Sequence, residues 1–212
     1  MTAPTAGEPN TLILTPEALR QFLVEERLRE EGISGGPVVW AVSSAKHGNG
    51  VRHVKSGDDL STYWQSDGVL PHTLSIQFGR LTALQYIAVY LDFSQDESYT
   101  PREVKARVGT HKGDMEVVAT VTVDQPQGWV MLPLRGEPSV SVGSTGGDVL
   151  RAAAEGEARA AEEKVWCTLV ELLFSENHHN GRDCHIRGVR LLGPLPVDDF
   201  SRTDYTQYLL LR

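Results

Sequence analysis

The chain contains little of what several protein classes require. It has only two cysteines, Cys167 and Cys184, among 212 residues, too few for a disulfide scaffold or for a zinc motif built on cysteine pairs. We expect both to be reduced. No run of about 18 apolar residues occurs, which excludes a membrane-spanning helix. Residues 1–10 lack the basic and apolar segments of a secretory signal, so we expect an intracellular protein.

Basic residues are also outnumbered. The chain has 20 Lys and Arg against 28 Asp and Glu, which gives a formal net charge of −8. Nucleic-acid binding relies on a basic face that displaces counterions from phosphates, so we do not expect DNA or RNA as a partner. Hydrophobic residues make up 40% of the chain. That fraction is enough to build the core of one large domain.

Hydrophobic and polar residues alternate in several short segments. Leu74, Ile76 and Phe78 alternate with Ser75 and Gln77, the period-two pattern of a half-buried strand. Similar patterns, or runs of β-branched and aromatic residues, occupy residues 84–91, 104–108, 115–123, 129–134, 166–174 and 186–192. About seven or eight strands without βαβ alternation indicate an all-β fold, an antiparallel jelly-roll β-sandwich of two sheets.

One helix is expected before the sandwich. Thr15 is a capping residue with Pro16 after it, and Leu19 and Phe22 follow at helical spacing, so the pattern predicts a helix that ends at Gly32. We therefore divide the chain into an N-terminal arm with this short helix (1–36), the sandwich (37–196) and a tail (197–212). We expect residues 136–164 to be an insertion that forms a mobile surface loop with nascent helix.

The densest polar stretch spans residues 175–185, between two predicted strands. Asn180 and Gly181 indicate a tight turn, because both tolerate positive φ. A metal site is one interpretation, although the spacing matches no zinc signature. A catalytic Cys184 and His185 pair is another, although neighbours on a strand point to opposite faces. We favour a rigid loop that binds a peptide or sugar over these and over a purely structural turn. The candidate metal ligands are His178, His179, Asp183, Cys184 and His185.

Two further polar stretches, residues 58–68 and 94–101, also join predicted strands. Their simplest interpretation is ordinary turn chemistry. Tyr63, Trp64 and Tyr99 lie beside them, where amphipathic rings either pack in the core or form the wall of a shallow site. The sequence contains no paired catalytic carboxylates with a nucleophile, no glycine-rich phosphate loop and no serine elbow. We therefore expect binding rather than catalysis, with no cofactor and no metal.

Taken together, the three polar stretches resemble those of a known family. The matching segments are residues 62–68, 71–72 and 76–78, then 96–101 and 107–109, then Asn-His-His-Asn-Gly-Arg-Asp at 177–183. They are similar, in the same order, to the Doc domain subunit of the anaphase-promoting complex. The resemblance spans residues 39–193 apart from the insertion, and it includes residues 40–44 and Gly128 with Trp129.

This resemblance implies a galactose-binding-like jelly roll that has no chemistry of its own. Such a protein is a substrate co-receptor inside a multisubunit ubiquitin ligase of the nucleus and cytoplasm. Its implied partners are the other subunits, a β-propeller coactivator and the destruction box of cell-cycle substrates. Carried over by position, the main substrate contacts are Ser98 and Asn180. The other residues of the implied site are Asn177, His178, Arg182, Asp183, Ser66, Asp67 and Tyr99.

The resemblance also implies a docking role for Leu211 and Arg212. Chains of the family end in an Ile-Arg dipeptide that docks into a tetratricopeptide-repeat groove of a scaffold subunit, and leucine offers an apolar side chain of equal volume. An alternative from another class is a discoidin-like sandwich that binds carbohydrate or another small ligand, because fold alone does not determine function. That alternative predicts an extracellular route and a stabilising disulfide, neither of which the sequence supports.

Overall fold

The computed structural model of the chain describes residues 11–31, 37–56, 59–134 and 164–195. β-Strands dominate these residues. The strands are β1 (Ile13–Leu14), β2 (Leu28–Glu30), β3 (Val38–Val42), β4 (Trp64–Gln65), β5 (His72–Leu84), β6 (Tyr86–Asp92), β7 (Pro101–Gly109), β8 (Glu116–Thr122), β9 (Gln127–Pro133), β10 (Val165–Asn177), β11 (His185–Ile186) and β12 (Gly188–Pro194). The α-helices are α1 (Pro16–Glu25), α2 (Arg52–Ser56) and α3 (Phe93–Asp96), and two short 3-10 helices span Glu97–Tyr99 and His178–Asn180.

The strands form two five-stranded antiparallel sheets. Sheet I has the strand order β1-β9-β6-β12-β2, and sheet II has the order β3-β5-β10-β7-β8. The two short strands β4 and β11 pair separately. Sequence neighbours are often not sheet neighbours, as when β10 lies between β5 and β7. The predicted all-β sandwich is therefore confirmed.

The core lies between the inner faces of the two sheets. Leu74, Ile76 and Phe78 of β5 are buried, as their alternation predicts. Burying side chains of this size contributes about 1.5–3 kcal/mol each. Sheet I supplies the facing residues of the same cluster, which include Ile87, Val89, Leu91, Val130, Leu132, Val189 and Leu191. The core thus joins strands that are distant in sequence.

The predicted N-terminal helix is present but shorter than expected. Thr15 caps α1 by accepting a hydrogen bond from the Ala18 backbone N–H at 3.2 Å. The helix ends at Glu25 rather than at Gly32. Arg27 has a positive φ of 53°, which is not helical, and the chain continues into β2. The apolar residue Leu28 therefore belongs to a strand, and the prediction of a helix end at Gly32 is wrong.

Residues 11–31 pack onto sheet I. β1 pairs with β9, and β2 pairs with β12. A second apolar cluster joins α1 and β2 to the outer face of this sheet, and its buried members are Leu19, Leu28, Ala88, Trp129, Met131 and Leu192. These contacts make the segment around α1 a structural part of the sandwich.

Three loops meet at one end of the sandwich, which we call the rim. The first loop covers residues 59–71 and contains β4, the second covers 93–100, and the third covers 178–187 and contains β11. Strand pairing brings them together: Phe174 lies opposite His72, Asn177 opposite Pro101, and Gly188 opposite Tyr90. The start of β5, the start of β7 and the end of β10 therefore lie side by side.

Several predicted segments lie outside the described residues. They comprise most of the 136–164 insertion and the 197–212 tail, which includes Leu211 and Arg212. In the part of the chain that the structure describes, no helix has the length and apolar character needed to cross a membrane.

Candidate functional site

The second and third loops touch through Gly181. A Cβ atom added at Gly181 would lie 1.7 Å from the backbone carbonyl oxygen of Ser98, so only glycine fits this contact. The turn itself differs from the prediction, because the positive φ values belong to His179 (51°) and Asn180 (57°). Gly181 has an ordinary φ of −59°. Its missing side chain, rather than its backbone freedom, thus brings the segments of Ser98 and Asn180 together.

A Gly181→Ala substitution tests this contact. The new methyl group has to displace the Ser98 backbone, and overpacking of this kind costs about 1–3 kcal/mol. We expect a lower midpoint of thermal unfolding for the full chain. The matched control is Gly50→Ala, since a Cβ at Gly50 meets no atom within 4 Å. Equal midpoints for the two variants would contradict the assigned contact.

The buried side chain of His178 holds the third loop against neighbouring backbone groups. Its imidazole is 6% exposed, Nδ1 lies 3.0 Å from the Thr100 carbonyl oxygen, and Nε2 lies 3.2 Å from the Gln125 backbone nitrogen. A carbonyl only accepts and a backbone N–H only donates, so Nδ1 carries the proton and Nε2 accepts. The Phe93 ring packs beside it at 5.0 Å between centroids. His178 is therefore a structural residue of the rim.

Two further contacts close the third loop. Asn177 is buried, and its Nδ2 donates to the carbonyl oxygen of Asp183 at 2.7 Å. Nε2 of the buried His72 lies 2.7 Å from the carbonyl oxygen of Arg182 and donates to it. Both bonds use backbone acceptors and therefore do not involve the side chains of Arg182 and Asp183.

The first loop is joined to the third by backbone and side-chain bonds. The N–H of Ser66 donates to the Cys184 carbonyl oxygen at 3.0 Å, and the Cys184 N–H donates to Ser66 Oγ at 2.7 Å. Lys46 Nζ lies 2.8 Å from Asp67 and 3.7 Å from Asp183. The hydrogen bond to Asp67 raises the pKa of Lys46, but exposed ion pairs contribute little stability. The buried Ser66 contact is the stronger link.

Exposure divides the predicted site residues into two groups. Ser66, Asn177 and His178 are buried, and their polar atoms hold the loops as described above. The others reach the surface. Ser98 and Asp183 are half-buried, and the exposed members are Asp67, Tyr99, Asn180 and Arg182. These surface residues come from all three loops and lie at one rim.

A cluster that the sequence did not indicate lies beneath the surface of the rim. Asp96, His185 and Arg187 are all less than 10% exposed. Arg187 donates to both carboxylate oxygens of Asp96, at 2.7 Å and 2.8 Å, and His185 Nδ1 lies 2.9 Å from the same carboxylate. The His185 ring lies between Tyr63 and Tyr99. Nothing in the local pattern around Arg187 marks a buried charge.

Asp96 is ionised in this cluster. Burial opposes ionisation, but the hydrogen bonds from His185 and Arg187 outweigh burial and hold the pKa below the ordinary value of 3.8. A lowered carboxylate pKa stabilises the folded state fully above pH 3.8, and this stabilisation is lost as the pH falls through the lower folded value. Asp96 is therefore charged at neutral pH.

The metal and cysteine interpretations of residues 175–185 receive no structural support. Both ring nitrogens of His178 contact backbone groups, and His185 Nδ1 contacts Asp96. Burial raises the pKa of the Cys184 thiol to about 12, so it is not a thiolate nucleophile. Within the described ranges, no three or more His, Cys, Asp or Glu side chains converge as metal ligands.

The fold and the loop-bearing rim define a class of protein, the galactose-binding-like β-sandwich. A family 32 carbohydrate-binding module of Clostridium perfringens NanJ, solved with galactose, superposes with a TM-score of 0.53 at 10% identity over 73% of this chain and 93% of that chain. Two such modules of Clostridium perfringens ZmpB give a TM-score of 0.58 at 12% identity over 90% and 43%. At this identity the likeness concerns the fold alone.

Sequence comparison defines the family. Residues 18–208 match the family model of anaphase-promoting complex, subunit 10 (APC10). Anaphase-promoting complex subunit 10 of Drosophila melanogaster is 30% identical over 205 residues, covering 93% of both chains. The Schizosaccharomyces pombe protein of that name is 34% identical over 180 residues, covering 84% of this chain and 83% of its own. The chain belongs to the anaphase-promoting complex subunit 10 family.

Proposed function

We propose that the chain is a substrate-recognition subunit of the anaphase-promoting complex, a ubiquitin ligase, and contributes no catalytic residue. With a β-propeller coactivator it holds the destruction box of a cell-cycle substrate at the rim, in the nucleus and cytoplasm and without a cofactor. The observation that carries this proposal is the packing of Gly181 against the Ser98 backbone. It joins two loops of a member of this family at one surface.

Ser98 and Asn180 have the chemistry that an extended peptide requires. Peptide backbones present N–H and C=O groups in alternation, and an Asn amide donates and accepts at once, as a Ser hydroxyl does in less space. Each such hydrogen bond contributes about 1 kcal/mol. Ser66, Asn177 and His178 support these groups from below. The remaining surface contacts that we propose are Asp67, Tyr99, Arg182 and Asp183.

Weak binding at the rim is sufficient because the substrate is held at two faces. The coactivator holds the same peptide, so binding to the rim is an intramolecular step at high effective concentration. The gain appears mainly as slower dissociation. A substrate that stays longer receives more ubiquitins in one encounter, which explains how a subunit without catalytic residues raises processivity.

The subunit itself requires a stable attachment to the complex. We propose that Leu211 and Arg212 dock into a tetratricopeptide-repeat groove of a scaffold subunit. Leucine is an apolar side chain that fills a pocket, and the arginine guanidinium offers five donors to acidic groups. The rim then remains free for the substrate.

Site-specific crosslinking tests the proposed position of the substrate. A photoreactive amino acid replaces the exposed Arg182 in the third loop or, as a matched control, the exposed Lys112. Lys112 follows the end of β7 that is distant from the rim. In the assembled complex with coactivator, we expect a destruction-box substrate to crosslink at position 182 and not at position 112. Equal crosslinking with a scrambled destruction box would contradict the proposal.

The carbohydrate-binding alternative rests on the fold alone. The two carbohydrate-binding structures compared above share only 10% and 12% identity with this chain, and a shared fold does not transfer a ligand. We expect the full chain to bind no sugar on a glycan array.

A further inference from the structure

The carboxylate of Asp96 is connected to all three loops. Asp96 belongs to the second loop and is 4% exposed. Its oxygens accept from Arg187 Nε at 2.7 Å, Arg187 Nη2 at 2.8 Å and His185 Nδ1 at 2.9 Å. His185 and Arg187 belong to the third loop. One buried side chain of the second loop therefore fixes two side chains of the third.

Arg187 extends the connection to the first loop. Its Nη1 donates to the Leu60 carbonyl oxygen at 2.9 Å and approaches the Ser61 carbonyl oxygen at 3.4 Å. Its guanidinium carbon also lies 5.4 Å from the centroid of the Tyr63 ring. A planar guanidinium that binds a carboxylate on one edge and carbonyls on another holds them in a fixed orientation.

Stacked rings reinforce the same connection. The His185 ring stacks on Tyr63 of the first loop at 4.1 Å and on Tyr99 of the second loop at 4.3 Å, with interplanar angles of 22° and 8°. Among the described residues, no hydrogen-bond partner reaches the buried His185 Nε2. The orientation of His185 therefore depends on Asp96 and on the two tyrosines.

A buried ion pair is weak evidence for added stability. Desolvating two charges offsets most of their attraction, whereas removing one partner leaves a buried charge unpaired. Arg187 and Asp96 are 4% exposed or less as side chains, so this argument applies to them directly. We infer that the main effect of the Arg187 and Asp96 pair is on orientation, because it holds groups of three separate loops in fixed positions relative to one another.

We propose that Asp96, His185 and Arg187 form a positioning hub that locks the three loops into one rigid recognition surface. This inference rests on the proposed function, which assigns substrate binding to that surface. The hub residues are buried and do not touch the substrate. They act through Tyr99, through the neighbouring Ser98 and through the third loop that carries Asn180.

Hydrogen exchange of the full chain tests the hub. Asp96→Asn keeps the side-chain shape but removes the charge. We expect backbone amides in all three loops to exchange about tenfold faster or more, with the amides of β5 and β10 unchanged. The matched control is Asp92→Asn, because Asp92 at the end of β6 is also buried and, among the described residues, its carboxylate accepts hydrogen bonds from Ser94 and Gln95 of the second loop. We expect Asp92→Asn to speed amide exchange only within the second loop.

Two further variants cover the case in which Asp96→Asn does not fold. The pair Asp96→Asn with Arg187→Gln removes both charges. Tyr63→Leu keeps both charges but removes the ring that stacks on His185 and lies beside the Arg187 guanidinium. We expect the double variant to speed amide exchange in all three loops, and Tyr63→Leu to speed it in the first and third loops. A third variant, Asp96→Glu, keeps the carboxylate and is expected to restore part of the amide protection that Asp96→Asn loses. Faster exchange confined to the second loop in the Asp96→Asn chain, or confined to the first loop in the Tyr63→Leu chain, would overturn the hub.

Substrate crosslinking tests whether the hub positions the recognition surface. In the assembled complex, we expect Asp96→Asn to lower substrate crosslinking at position 182 several-fold, while Asp92→Asn changes it less. Unchanged crosslinking together with released loops would overturn the positioning role. Failure of the proposed function looks different, because the wild-type rim then gives no crosslink that depends on the destruction box, while the exchange pattern of the hub variants persists.

Discussion

Replacing Ser98 and Asn180 together with alanine is expected to shorten the ubiquitin chains formed on a destruction-box substrate. Each substitution removes one proposed hydrogen bond to the substrate, worth about 1 kcal/mol, or together about 2 kcal/mol. At about 1.4 kcal/mol per tenfold, this corresponds to a roughly 30-fold shorter lifetime on the rim. Either single variant is expected to weaken the function rather than abolish it.

Both alanine substitutions are compatible with the fold. Asn180 is exposed and Ser98 is half-buried, so the double variant should fold. Its unfolding midpoint should fall somewhat, because Asn180 has a positive φ of 57°, which asparagine adopts more readily than alanine. The measurement is chain length per encounter in a reconstituted ubiquitination reaction. The control is Lys112→Ala, an exposed residue distant from the rim. Chains as long as those of wild type, on a correctly folded double variant, would show that the site is assigned to the wrong residues.

Deleting Leu211 and Arg212 is expected to weaken association with the complex more than any change at the rim. The proposed docking would bury an apolar side chain, worth about 1.5–3 kcal/mol, and form charge-assisted hydrogen bonds, worth about 1.5–3 kcal/mol, and the deletion would remove both. The sum corresponds to a loss of at least 100-fold in affinity. The fraction of the chain that co-purifies with the complex measures this loss.

The sandwich itself should be unaffected by the deletion. The isolated variant is expected to keep its unfolding midpoint and its hydrogen-exchange pattern, which separates lost docking from lost folding. Leu209→Ala is the matched control, since it removes an apolar side chain but keeps Leu211 and Arg212. Undiminished co-purification of the deletion variant would count against docking through these two residues.

The strands were predictable because the polarity of each side chain along the sequence indicates whether that side chain is buried or exposed. Leu74, Ile76 and Phe78 alternate in the sequence and are buried in the structure. The cap at Thr15 was predictable for a similar reason, since it depends on a bond to Ala18, only three residues away. Local periodicity and local hydrogen bonding are visible within a few residues of chain.

The end of α1 and the buried hub were not predictable in this way. β2 forms because β12 pairs with it, and the helical pattern before Gly32 carries no information about that partner. Likewise, Arg187 and Asp96 are separated by 91 residues, so their pairing depends on the packing of distant strands. The contact of Gly181 was not predictable either, because its close neighbour is the Ser98 carbonyl of another loop.

The time that a single substrate stays bound tests the central claim most directly. A fluorescent destruction-box substrate is observed on individual coactivator-bound complexes, assembled with the wild-type chain or with the Ser98→Ala and Asn180→Ala double variant. We predict that the wild-type chain lengthens the bound time about tenfold or more, and only when the destruction box is intact. Equal bound times with the two chains, or equal lengthening for a scrambled destruction box, would contradict the account.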